Sequence, residues 1–167
     1  KRVLDRYQHV DEVIADLNAV LVPLNSEPLI FISYRRNDSI DASYRLYEIL
    51  VEHFGQSAVS MDLDSIPSGV DFRRHIQTSI GRADVVLSVI GDHWLNTASK
   101  DYKSRLHDPA DYVRMEIETA MRLDKPIIPV LVGGAKMPLP ESLPDTLCAF
   151  CFKNAAELRA GREYSSL

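Results

Sequence analysis

Cysteine is almost missing from this chain. Its 167 residues hold two, Cys148 and Cys151, spaced as Cys-x-x-Cys. A structural zinc site needs a second such pair or a His-x3–5-His, and the chain has neither. The five histidines (His9, His53, His75, His93 and His107) are scattered, without metal-ligand spacing. A thioredoxin-type motif opens a helix after a strand, whereas residues 147–152 read as a strand themselves. Both thiols are therefore expected to be buried or half-buried in a reducing, cytoplasmic setting. No Gly-x-x-x-x-Gly-Lys-Ser/Thr loop occurs, and no Gly-x-Gly-x-x-Gly follows the first strand, which weighs against kinase, GTPase and dehydrogenase chemistry. The Gly-x-Ser-x-Gly nucleophile elbow is missing as well. Basic charge is in deficit too: the net charge is -5 and the pI about 5.5, against nucleic acid as the main partner. No apolar run reaches the roughly 20 residues of a membrane span, so no membrane partner is expected.

What is present is the balance of a soluble globular domain, 46% apolar and 26% charged, with enough chain to bury a core. Residues 1–27 stand apart. Val3, Tyr7, Val10, Ile14, Leu17, Leu21 and Leu24 are spaced alternately by four and three, a heptad seam on an amphipathic helix over 1–22 that Pro23 ends. It reads either as the tail of a coiled coil or linker helix packed on a partner, or as a helix folded back on its own domain.

From residue 28 to 167, strand and helix patterns alternate. The run 29–34 is continuously apolar, as a strand buried on both faces requires. An amphipathic helix over 41–54 stops at Gly55. A short strand over 58–61, a loop over 62–69 and a helix over 71–81 follow. Residues 85–90 form a second apolar strand, and a long polar loop over 91–109 leads to a helix at 111–121. The next strand is 126–132 and a Pro/Gly-rich loop covers 133–144. Residues 150–153 are expected as a last strand and 155–162 as a final helical turn or two. Five strands joined by helices predict an open, parallel α/β sheet with helices on both faces, whose ligands sit at the carboxyl ends of the strands. A phospho-receiver shares that sheet but needs an acidic pair after the first strand. Here that place holds Tyr34, Arg35 and Arg36. Beside Asp38, the two arginines read either as a salt-bridged rim or as a cationic patch for phosphate or carboxylate groups. Trp94, the one tryptophan, reads as rim packing or as a substrate contact.

The helix over 111–121 carries two glutamates in different settings. Val113, Ile117, Ala120 and Met121 make the buried stripe. At about 100° per residue, Glu118 falls on the far side between Arg114 and Arg122, a solvated charge ladder. Glu116 falls on the border of the stripe, one turn after Tyr112, with no basic residue at i±3 or i±4. Such a carboxylate either reaches water at the boundary or does chemistry beside the aromatic ring.

The combination resembles a known family. Phe31-Ile32-Ser33-Tyr34-Arg35-Arg36 looks like the opening motif of Toll/interleukin-1 receptor (TIR) domains. Met61-Asp62-Leu63-Asp64-Ser65-Ile66-Pro67-Ser68-Gly69 looks like their BB loop. Residues 82–90 and 125–130 resemble their third and fourth strands, and residues 111–117 the Trp-x-x-x-Glu region of NAD-cleaving members. The likeness is closest to bacterial TIR domains, and the opening also resembles the animal axon-degeneration TIR enzyme. It implies a flavodoxin-like sheet and cleavage of the nicotinamide–ribose bond of NAD+, a substrate, with no cofactor or metal. Glu116 matches the catalytic glutamate, and Tyr34, Arg35, Arg36, Asp62 and Tyr112 match substrate-binding positions. The chain departs from the pattern at Tyr112, where the family has Trp, and at Ser65, where some enzymes have Lys. The resemblance further implies partners: other TIR domains, met through Ile66, Pro67, Ser68 and Gly69 of the BB loop, and an upstream sensor domain that controls clustering. A non-enzymatic adaptor, signalling through TIR–TIR contacts alone, is the alternative.

Overall fold

The computed structural model describes residues 7–8, 10–21, 27–61, 69, 71–95 and 102–160. Along the chain run β1 (Tyr7–Gln8), α1 (Val10–Leu21), β2 (Ile30–Ser33), α2 (Arg36–Phe54), β3 (Val59–Ser60), α3 (Phe72–Arg82), β4 (Val85–Ile90), α4 (Tyr112–Arg122), β5 (Ile127–Val132) and β6 (Ala156–Ala160). The sheet order is β1-β6-β5-β4-β2-β3. Strands β2 to β6 are parallel throughout, and β1 adds a short antiparallel edge against β6. Without that edge, the order is the flavodoxin-like one of the doubly wound sheets. Its reversal point lies between β2 and β4, the adjacent strands whose carboxyl ends carry residues 34–38 and 91–95.

Alternation along the strands divides the core in two. Ile30, Ile32 and Tyr34, with Val85, Leu87 and Val89, face α1 and α2. Phe31, Val86 and Ile90 face α3 and α4, together with Leu147 and Phe150. Both central strands are buried along their whole length, which is why they read as unbroken apolar runs.

The amino-terminal segment belongs to this core. Helix α1 buries Val10, Val13, Leu17 and Leu21 in the layer that holds β2, β4 and β5. Of the two readings, Val10–Leu21 has the fold-back one, and its buried side chains share a hydrophobic core with the sheet. The heptad seam holds at Val10, Leu17 and Leu21, which are buried, and departs from the expectation at two places. Tyr7 lies in β1 rather than in the helix, Val13 replaces Ile14 as the fully buried position, and Val3 and Leu24 lie outside the described residues.

The carboxyl-terminal expectation exchanges two elements. Asp145–Phe152 is a 3-10 helix and the last strand is Ala156–Ala160. The reason is periodicity: Leu147 and Phe150, three apart, are both buried, and a 3-10 turn puts i and i+3 on one side. From Ala156 to Leu158 burial alternates at the period of a strand. The Cys-x-x-Cys thus rides on the 3-10 helix, and both thiols are free and half-buried. Helix α2 also starts earlier than expected, at Arg36, and is kinked at Ser39 (φ -136°, ψ 22°).

Candidate active site

The end of β2 and the start of α4 build the site. Asp111 is the N-cap of α4, its Oδ1 accepting from the Arg114 backbone N–H at 3.0 Å. That cap satisfies one of the orphan donors of the first turn and fixes where the helix starts. With the start fixed, the second turn puts Glu116 against the sheet. It is buried, at 2% exposure, and Ser33 Oγ donates to its Oε2 at 2.6 Å. The border position expected from the helical wheel is therefore a fully interior one. Glu118 behaves as expected, taking Arg114 Nε at 2.7 Å while partly exposed.

Arg35 is buried too, at 4% exposure. Its Nη1 and Nη2 donate to Asp111 Oδ2 and Oδ1 at 2.7 and 3.0 Å, and its Nε donates to the Trp94 carbonyl at 2.8 Å. A guanidinium so engaged ties β2, the turn after β4 and the N-terminus of α4 together; Arg35 has the salt-bridged alternative, with Asp111 rather than Asp38 as its partner. Arg105 approaches the same carboxylate at 3.6 Å. Asp38 makes a second tie, accepting from the Gly91 and His93 backbone N–H groups at 2.9 and 2.7 Å. A Cβ at Gly91 would stand 2.5 Å from Asp38 Oδ1, so this close approach needs glycine.

The other expected site residues are spread around the rim. Tyr34 points to the α1/α2 face and is buried. Burial, first of all, raises its phenol above its ordinary value; the charges of Tyr44 and Glu116 add to this and Arg36 opposes it. Arg36 is exposed and lines a cleft of about 570 Å³ with Asp38, Arg45, Asp92, His93 and Gly133. Tyr112, 40% exposed, meets Phe72 edge to face at 5.0 Å and borders a cavity of about 160 Å³ with Tyr102, Arg105 and Asp111. Asp62, Ile66, Pro67 and Ser68 lie outside the described residues, as does Ser65. Gly69 is described, at φ +85°. Trp94 is packing: it is 1% exposed and stacks on Phe150 at 5.7 Å.

Sequence reasoning missed Ser33, Asp111 and Phe72 as parts of the site. Asp111 had a legible signal, an acidic side chain just before an apolar-periodic run. Ser33 and Phe72 had none, since their partners lie 83 and 40 positions away.

An open parallel α/β domain whose buried carboxylate sits beneath the carboxyl ends of its strands is the class defined by this geometry. The family model for the TIR domain matches residues 30–163. The chain belongs to the TIR domain family. Among solved structures, it is similar to the TIR domains in "Structure of the activated Roq1 resistosome directly recognizing the pathogen effector XopQ", at 16% identity and a TM-score of 0.46. That match covers 74% of this chain and 67% of the other. Among the described residues no helix is long and apolar enough to cross a membrane, and no group of His, Cys, Asp and Glu could hold a metal ion.

Proposed function

We propose that this TIR domain is an NAD+ glycohydrolase of the bacterial NAD-cleaving type, with Glu116 as its catalytic carboxylate. The observation that carries this reading is a glutamate held by a buried hydrogen bond beneath the sheet rim, one turn after an exposed aromatic ring. In the reaction the C1′–N bond of the nicotinamide riboside breaks and its electron pair leaves with nicotinamide. The ribose becomes oxocarbenium-like, and a fixed carboxylate in a low-dielectric setting stabilises that charge far better than water would. Water then adds at C1′ and gives up its proton; capture by a nucleophile within the same molecule would yield a cyclic product. Nicotinamide leaves neutral, so no general acid is needed.

The face of Tyr112, braced by Phe72, suits stacking against a flat heteroaromatic ring. Arg36 suits the phosphates, whereas Arg35 serves by holding Asp111. Assembly completes the proposal: copies of the domain, brought together by an upstream sensor in a bacterial immune or cell-death response, contact one another through Ile66, Pro67, Ser68 and Gly69 and so switch the enzyme on. The positive φ of Gly69 makes this end of the loop sensitive to substitution.

A non-enzymatic adaptor is the second reading, and one observation favours it. Glu116 at 2% exposure with its own hydrogen bond is also what a purely structural carboxylate looks like. Nicotinamide release from NAD+, measured with dilute protein and with protein clustered on beads, separates the two. Release that rises with clustering and is lost in Gly69→Pro supports the assembled enzyme. A folded, self-associating domain that releases none is an adaptor.

A further inference from the structure

Ser33 at the end of β2 and Arg35 in the extended backbone just after it lie on the same face, and both grip α4. Ser33 bonds Glu116 and Arg35 bonds Asp111. Two strand residues advance about 6.6 Å, and the five residues from Asp111 to Glu116 advance about 7.5 Å along a helix. The helix can therefore lie alongside the strand end with both contacts made at once. The two grips differ in kind. Arg35 sets where the helix begins, while Ser33 touches the carboxylate itself.

We propose that Ser33 is a positioning residue of the Glu116 carboxylate, a role that rests on the reading of Glu116 given above. Three observations carry it. The 2.6 Å contact is of the length expected for a hydroxyl donating to a charged carboxylate. Both groups are almost fully buried, at 1% and 2% exposure, so water competes little for the bond. The neighbouring strand supplies a built-in comparison: Ser88 is the register partner of Ser33, is equally buried, and its Oγ has no hydrogen-bond partner among the described residues. Two serines thus lie side by side beneath α4, and only Ser33 is aimed at Glu116. A carboxylate that must meet a developing charge at one place loses effect when its rotamer is free, because small misplacements of a reacting group are costly.

Substitutions at Ser33, Ser88 and Glu116 test this. Ser33→Ala should lower kcat for nicotinamide release about tenfold to a hundredfold while KM stays within roughly twofold, the split expected of a group acting only in the transition state. Ser33→Thr, which keeps the hydroxyl, should recover most of the rate, and Ser88→Ala should leave kcat and KM unchanged. Urea midpoints give a readout independent of activity. Ser33→Ala should lower the midpoint when Glu116 is present and leave it unchanged or raise it in a Glu116→Met background, where the hydroxyl has lost its partner. Unchanged kcat in Ser33→Ala, or an equal midpoint loss in both backgrounds, overturns the proposal. A wild type that releases no nicotinamide even when clustered overturns the enzyme reading and the catalytic role built on it. In that event the midpoints still decide whether Ser33 holds the carboxylate.

Discussion

Arg35 and Asp111, 76 positions apart in the chain, close a two-pronged ion pair at the junction of β2 and α4, with both side chains 4% exposed. Breaking a buried pair from one side leaves an uncompensated charge, at a cost of about 3–5 kcal/mol. The two sides are unequal here. Without Arg35, Asp111 keeps Arg105 and its cap on the Arg114 N–H. Without Asp111, the buried guanidinium keeps only the Trp94 carbonyl among these contacts, and α4 loses its cap. Urea unfolding should therefore show Asp111→Ala as the more damaging change, with Arg35→Ala milder. The reverse order would mean that the cap and Arg105 matter little.

Gly91 and Asp38 make a second prediction. A methyl group at Gly91 collides with the Asp38 carboxylate and pushes it off two backbone N–H groups. Gly91→Ala should cost about 1–3 kcal/mol. Because the two changes damage one contact, the double variant with Asp38→Ala should cost less than the sum of the single ones. Additive midpoints would contradict the clash.

Helix α1 is predicted to behave as core. Leu17 is fully buried against the sheet, so Leu17→Ala should destabilise the domain by about 2–5 kcal/mol in a single cooperative transition. A helix that packs on its own domain gives a midpoint independent of protein concentration, whereas a coiled coil between copies gives one that rises with it.

These relationships also mark what the sequence could and could not disclose. Continuous apolar runs disclosed β2 and β4, because strands buried on both faces have no polar side to interrupt them. The helical wheel placed Glu116 at the edge of the stripe but could not bury it. That required Ser33 to arrive from a strand 83 positions earlier. Arg35 and Arg36 look alike in the sequence, and only the alternation of the chain leaving β2 sends one to Asp111 and the other to solvent. At the carboxyl-terminal end, short apolar stretches with periods of two and three are hard to tell apart in the sequence, since Leu147 and Phe150 reveal a 3-10 turn only once their common neighbours are known. The heptad spacing before Pro23 left two readings open, because amphipathicity says that a face is buried, and not against what.

Tyr34 supplies a prediction for alkaline pH. Its phenol is raised above the ordinary 10.0, chiefly by burial. A group that ionises less readily in the folded state adds stability that is complete below the unfolded value and is lost as pH rises through the folded one. The domain should lose stability as pH climbs above about 10, and Tyr34→Phe should flatten that part of the curve. In a spectrophotometric titration, the same variant should remove one late-titrating phenol. A curve unchanged by Tyr34→Phe would assign the loss to other groups.

The central claim is that Glu116 acts as a charged carboxylate at the reacting ribose. Its most direct test is nicotinamide release from NAD+ by bead-clustered wild type beside Glu116→Gln, which keeps the shape and removes the charge. The account predicts release by the wild type and a loss of at least about a hundredfold in the variant, the size expected when one electrostatic stabiliser is removed. Release that survives in Glu116→Gln would contradict it.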